Sequence, residues 1–174
     1  MSNCNLKEAM KLEQGYKKLA GIVTSLTKHE NGQATFEVEE VDGNSYRINV
    51  FDTNIVFDTH GVHVFLEEGQ VFQAFVSYRK PMILIHPPQY APDLIVVESE
   101  ELGFVEVSYF NDDFVNKENT LKLHIDDSVV IQDLEGTPLT VDEVKSSYAA
   151  AFYQASTRSI PAQTTPKKLL KLSE

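Results

Sequence analysis

Tryptophan is absent from this sequence, cysteine occurs once, as Cys4, and only 8 glycines are scattered through 174 residues. A lone cysteine excludes an intrachain disulfide, so the core must hold without covalent staples. Glycines this sparse and unclustered form no phosphate-cradling loop and no dinucleotide fingerprint. A serine-nucleophile motif is missing as well, so nothing in the sequence signals an enzyme. Apolar runs such as Met82 to Ile85 and Leu94 to Val97 are far too short for a membrane span. Basic charge is scarce: 15 Lys and Arg stand against 26 Asp and Glu, for a net charge of -11. The arginines are Arg47, Arg79 and Arg158 alone. A phosphate backbone needs a positive surface, so nucleic acid is not the expected partner. No cofactor is expected.

The N-terminus lacks the basic, apolar and small-residue succession of a signal peptide, which predicts a cytoplasmic protein. Cys4 reads as a free thiol in a terminal tail. A cell-surface lipoprotein would fit it only if a leader had been removed.

What the sequence does have is a repeat with an offset near 74. Asp52 to Phe57 aligns with Asp126 to Ile131, and Leu66-Glu67-Glu68 with Val141-Asp142-Glu143. Ala74-Phe75-Val76 aligns with Ala150-Ala151-Phe152, and Gly21-Ile22-Val23 with Gly103-Phe104-Val105. Pro87, Gln89 and Pro92 recur at the same spacing as Pro161, Gln163 and Pro166. Charge divides evenly too: residues 1–98 carry 8 basic and 13 acidic side chains, residues 99–174 carry 7 and 13. Such self-similarity points to a duplicated module. The boundary falls in the short polar stretch Glu98 to Glu101, giving units 1–98 and 99–174 packed against each other.

Within the first unit, Leu6, Ala9 and Met10 give Asn5 to Gln14 the stripe of a short helix ended by Gly15. A meander follows. Leu19 to Lys28 is strand-like, Asn31-Gly32 and Asp42-Gly43 supply hairpin turns, and Thr35 to Val41 alternates cleanly between them. Tyr46, Ile48 and Val50 share one face of the next strand. Val71 to Tyr78, Met82 to Ile85 and Asp93 to Glu98 complete the unit. The second unit predicts strands at Phe104 to Phe110, Thr120 to Ile125, Val129 to Gln132, Tyr148 to Gln154 and Lys168 to Leu172. Thr140 and Glu143 form a capping-box pattern that starts a short helix. Lys167, Lys168 and Lys171 read as the solvated face of the last strand. The fold class is therefore all-β with a short N-terminal helix: two tandem OB-like antiparallel barrels, whose closure would protect their strand edges.

Arg158 to Thr164, with the strands at Val129-Val130 and Ala149 to Tyr153, resembles small β-rich repeat modules of Gram-positive bacterial proteins, often surface-associated. The resemblance covers about 50 residues of the second unit and implies the fold, with no particular activity. In the first unit Leu84-Ile85-His86 stands where Arg158-Ser159-Ile160 does, so a role for Arg158 and Ser159 would belong to the second unit alone.

Five segments are candidates for a site. Asp58, His60 and His63, joined by His86, are metal-ligand types. They read more simply as an ordinary polar loop, since the second unit has no counterpart. Asn111 to Asn119 is rich in oxygen ligands but lacks the spacing of a calcium loop. Adjacent carboxylates at Asp126-Asp127 and Glu67-Glu68 point to opposite faces of a strand and do not converge. Pro87, Pro88 and Pro92 stiffen a loop that holds Tyr90, an aromatic suited to anchor a partner. The expected function is accordingly a non-enzymatic binding or assembly module acting on a protein partner or on itself, through Tyr90, Arg158 and Ser159. The alternative is a small-molecule or metal-dependent site, catalytic or not, in the cleft between the units.

Overall fold

The computed structural model describes residues 15–80 and 85–173. The expected helix over Asn5 to Gln14 and most of the expected strand Met82 to Ile85 lie outside them. The described chain is all-β, with thirteen strands and very little helix. In its N-terminal half these are β1 (Tyr16–Lys28), β2 (Ala34–Glu39), β3 (Ser45–Val50), β4 (Val56–Asp58), β5 (Val71–Ser77), β6 (Gln89–Tyr90) and β7 (Leu94–Val97). The C-terminal half holds β8 (Phe104–Phe110), β9 (Leu121–Leu123), β10 (Val130–Asp133), the helical turn α1 (Val141–Val144), β11 (Ser147–Tyr153), β12 (Ala162–Thr164) and β13 (Lys168–Ser173).

The two halves share a pairing order. The first sheet runs β4-β7-β5-β1-β2-β3-β6 and the second β10-β13-β11-β8, with β12-β9 as a separate pair. In each half the first pair is parallel (β4 with β7, β10 with β13), and the next two are antiparallel. Each also has a parallel pair formed by the segment that follows a cis proline bond: β6 on β3 after His86–Pro87, β12 on β9 after Ile160–Pro161. In the N-terminal half, pairing leads from β1 through β2 and β3 to β6. The chain continues over Ala91 to Asp93 into β7, which pairs through β5 back to β1.

Laid over one another by their ladders, the two halves match at a different offset from the one read in the sequence. Asp93 N donates to Phe75 O and Lys167 N to Phe152 O, both at 2.8 Å. Phe75 pairs with Leu94, and Phe152 with Lys168. Phe75 therefore corresponds to Phe152, one residue away from the sequence alignment, and a one-residue slip exchanges the two faces of a strand. The same count sets Gly21 opposite Ser108 rather than Gly103.

Alternation on these strands makes three cores. Val38, Ile48, Phe72, Ala74 and Ile95 fill the first, inside the N-terminal half. Phe110, Leu121, Val144, Ala149 and Leu169 fill the second, inside the C-terminal half. The other faces of β4, β5, β7, β11 and β13 meet in a third: Phe57, Phe75, Leu94 and Val96 from one half pack with Ala150, Phe152 and Leu170 from the other. This explains why Leu94–Val97 is apolar without alternation: all four residues are buried, two on each side.

Five hairpin loops use one device. In each, the N–H of the fourth residue donates to the carbonyl of the first, and the first N–H to the carbonyl of the fifth. The first residues are His29, Glu40, Asp58, Asn111 and Asp133. The fourth takes a positive φ: Gly32, Gly43, Gly61, Phe114 and Gly136, with Phe114 at 60°. Glycine meets this requirement without steric cost. The Asn31-Gly32 and Asp42-Gly43 signals thus mark real turns, and Thr140 with Glu143 forms the expected capping box at α1.

In the basic C-terminal stretch Lys167 is exposed, but Lys168 does not belong to a solvated face. Lys168 Nζ reaches across to the Gly61 carbonyl at 2.7 Å and lies 5.5 Å from the Phe57 ring centre. Burial lowers its pKa, and Asp58 offsets part of that.

Candidate functional site

At the end of the molecule where β1 begins and β5 ends, tyrosines gather. Tyr16 opens β1, and its ring meets Tyr148 of β11 edge-on at 5.7 Å. Tyr148 in turn meets Tyr109 of β8 at 5.4 Å. Beyond β5 the chain turns through Tyr78, Arg79 and Lys80. Tyr78 N donates to Gly15 O at 3.0 Å, and Arg79 N to Ser77 Oγ at 3.2 Å. Lys80 Nζ pairs with Asp93 Oδ1 at 3.0 Å and donates to Ala91 O, while Asp93 Oδ2 accepts from Ser77 N at 2.7 Å. These bonds fix the turn and leave Tyr78 56% exposed.

Tyr90 completes the group. Its hydroxyl accepts from Lys17 Nζ at 3.3 Å, the same ammonium sits 5.1 Å from the ring centre, and Tyr46 packs against it edge-on. Two adjoining hollows result. One, of about 280 Å³, has Lys17, Tyr78, Lys80 and Tyr90 among its walls; the other, of about 190 Å³, has Tyr16, Tyr78, Tyr109, Lys117, Tyr148 and the Glu118 carboxylate. Tyr78 belongs to both. Five of the chain's 7 tyrosines therefore meet on one face spanning both halves, and Lys17, Arg79, Lys80 and Lys117 are exposed around it. Burial raises the pKa of Tyr148, and the Arg79 charge opposes that rise.

A second concavity, of about 540 Å³, follows the linker between the halves. Lys18, Gln73, Glu98, Glu101, Gly103 and Tyr153 are among its walls. Gly103 passes so close to Thr59 that an added Cβ would lie 2.8 Å from the Thr59 carbonyl oxygen. Thr59 Oγ1 is 2.6 Å from Ser99 Oγ. Phe104 stacks on Tyr153 at 5.5 Å. Gln73 Oε1 and His60 Nε2 are buried without a hydrogen bond among the described residues, and the Glu101 carboxylate is 3.6 Å from His60 Nε2. A third hollow, of about 560 Å³ and mostly apolar, opens in the N-terminal half between Leu26, Phe36, Val50, Val56, Phe65 and Leu66.

The structure separates the residues that the sequence grouped for metal binding. Asp58 Oδ1 caps its own hairpin, accepting from His60 N at 2.8 Å and Val62 N at 3.1 Å. His63 lies tilted over the Phe57 ring at 4.2 Å. His60 faces Glu101 and Gln154, and His86 is exposed beside the cis bond. Among the described residues no three His, Cys, Asp or Glu side chains gather as a metal site. Asn111 caps its loop as Asp58 does, through Asp113 N and Val115 N. Tyr90 lies on the tyrosine face. Arg158 and Ser159 lie in the β11–β12 loop, where the Ser159 hydroxyl donates to Pro161 O at 2.9 Å and meets Thr157 Oγ1 at 2.6 Å. Neither lines the two hollows. Tyr16, Tyr78 and Tyr148 escape sequence reading because they are 62 or more residues apart; only the ladders bring them together.

No family model matches the chain, and no curated protein does. Among solved structures, the crystal structure of TiaS in complex with an isoleucine tRNA and ATP matches at 18% identity over 55% of this chain, with a TM-score of 0.33. The match spans about a fifth of that protein, 21% of its length. No helix among the described residues is long and apolar enough to cross a membrane.

Proposed function

We propose that this chain is a non-enzymatic binding module for a protein partner, built as two OB-like barrels derived from one duplicated unit. The barrel reading is supported by the path of pairing from β1 through β3 and β6–β7 back to β5 and β1. The duplication is supported by the shared strand order and by the matching Phe75 and Phe152 contacts. One observation carries the function: five tyrosines assembled on a single face and bordered by cations, in a chain whose net charge is -11. Tyrosine offers broad apolar contact and a hydroxyl at little entropic cost, which makes it a good interface anchor.

The test uses the whole protein as bait in extract of its own cells, beside a Tyr78→Ala, Tyr90→Ala variant with an unchanged melting profile. The native chain should retain a specific protein that the variant loses. A native chain that stays monomeric and retains nothing would sink the reading.

The linker crevice favours a second reading, in which a small polar ligand occupies it. Gln73 Oε1 is the observation in its favour, a buried acceptor on the crevice wall. Thermal unfolding against zinc, calcium, nucleotides, sugars and amines tests it. A ligand present at 100 times its dissociation constant adds about 2.7 kcal/mol. A panel without any shift would remove this reading.

A further inference from the structure

The inference that follows rests on the proposed binding function and specifies the partner's chemistry. We infer that the tyrosine face receives an acidic segment of a partner protein, laid across both halves, with an apolar side chain in the hollow beside Tyr90 and carboxylates at the surrounding cations.

Charge complementarity carries the argument. The chain as a whole is strongly acidic, yet Lys17, Lys80 and Lys117 line the hollows of this face, and Arg79, next to Tyr78 in the turn, is close enough for its charge to act on Tyr148. Two acids stand among them: Asp93 is paired with Lys80 and accepts from the Ser77 amide, and Glu118, which accepts from Ser108 Oγ at 3.0 Å, keeps its charge on the wall of the smaller hollow, so four cations face two carboxylates. Among the described residues neither Arg79 nor Lys117 forms an ion pair. Both flank Tyr78 and Tyr148, so a carboxylate arriving there meets cations beside exposed ring surface. Such an arrangement steers association and fixes orientation.

The same geometry disfavours a nucleic acid. A phosphate chain carries a charge at every residue and extends well past these hollows, over a surface that is acidic in sum. A short acidic peptide concentrates its charge where the cations are. An apolar side chain of the peptide can fill the pocket of about 280 Å³ beside Tyr90.

Selection of random 12-residue peptides displayed on phage against the full-length protein tests this. The selected peptides should be enriched in Asp and Glu together with Leu, Phe or Tyr. A fluorescein-labelled synthetic copy should bind about tenfold more weakly to Arg79→Glu, to Lys117→Glu and to Tyr78→Ala. Its affinity should also fall between 0.1 M and 1 M salt, as the Debye length shrinks from about 10 Å to about 3 Å. Circular dichroism melts check each variant, and Arg79→Gln or Lys117→Gln replaces any that unfolds. Peptides without acidic enrichment that still depend on Tyr78 would overturn the acidic partner and leave the protein-binding function standing. Binders indifferent to all three substitutions would overturn the placement on this face. If no peptide is selected and a labelled 12-mer oligodeoxythymidylate binds instead, both this inference and the protein-binding reading fail. Selection of no peptide and no oligonucleotide binding also overturns the acidic segment.

Discussion

Phe114 is the position where side-chain burial and backbone preference oppose each other most clearly. Glycine takes the positive φ at the other four hairpins of the same design, whereas Phe114, at 60°, is only 7% exposed and packs in the C-terminal core. Positive φ costs a non-glycine residue about 1 to 2 kcal/mol, while removing a buried phenylalanine costs about 3 to 5 kcal/mol. Packing wins, so Phe114→Gly should lower stability by a few kcal/mol despite relieving the backbone, as urea unfolding would show. Glu106 presents the electrostatic counterpart. Burial, followed by the nearby Glu118 charge, raises its pKa, against a hydrogen bond from Asn116 and the Lys18 charge. A carboxyl with a raised native pKa is most costly to the fold when ionised, and the native state takes up its proton first as pH falls. Glu106→Gln should therefore melt higher than the native protein at pH 7. The gap should close as pH drops through the raised pKa toward the ordinary carboxylate range. A gap that persisted at low pH would show that ionisation is not its cause.

At the scale of elements, the sequence was most legible where one face is buried and the turn chemistry is explicit. Alternation in Phe36, Val38, Tyr46, Ile48 and Val50, with Gly32 and Gly43 at the turns, marks β2 and β3 to within a residue or two. The predicted Phe104 to Phe110 strand matches β8 end for end. Legibility failed where a strand is buried on both faces. Ala149 to Phe152 is apolar throughout, so the sequence could not say which residues face which core. The ladders to β8 and β13, with the backbone bond from Lys167 to Phe152, set the register. The candidate site was legible at Tyr90 alone, because its prolines mark a rigid loop. At the histidine loop the sequence offered ligand residue types beside the simpler polar-loop reading, but not the hairpin bonds that occupy Asp58. Gly21 was paired with Gly103, yet each is a glycine for a separate reason. At Gly21 a Cβ would lie 2.5 Å from the Val38 side chain, where Tyr46 bonds to the Ala20 carbonyl; at Gly103 it would strike the backbone of Thr59. Gly21→Ala should push β1 off β2 and lower the melting temperature by several degrees. Lys168→Met keeps the apolar stem and loses the bond to Gly61. It should cost about 1 kcal/mol in chemical unfolding.

For the whole molecule the interface matters most, because corresponding positions of the two halves meet there. Phe75 and Phe152 share it, as do Val96 and Leu170. A surface that packs against its own equivalent can also pack against a second copy. Residues 1–98 produced alone would expose Phe57, Phe75, Leu94 and Val96 together, an apolar patch that does not stay solvated. The fragment should sediment as a dimer or larger, and Phe75→Lys should shift it toward monomer. A monomeric native fragment would mean that the interface is not self-complementary.

The shared interface also bears on how amide hydrogens exchange with solvent. β5 and β11 are flanked by partner strands on both edges and carry a buried core on each face. No opening confined to one half can expose Phe57, Phe75 or Phe152 without also stripping the other half of its cover. The slowest amides, from Phe72 to Val76 and from Ala149 to Phe152, should thus report one common opening free energy, the signature of a single cooperative unit drawn from both ends of the chain.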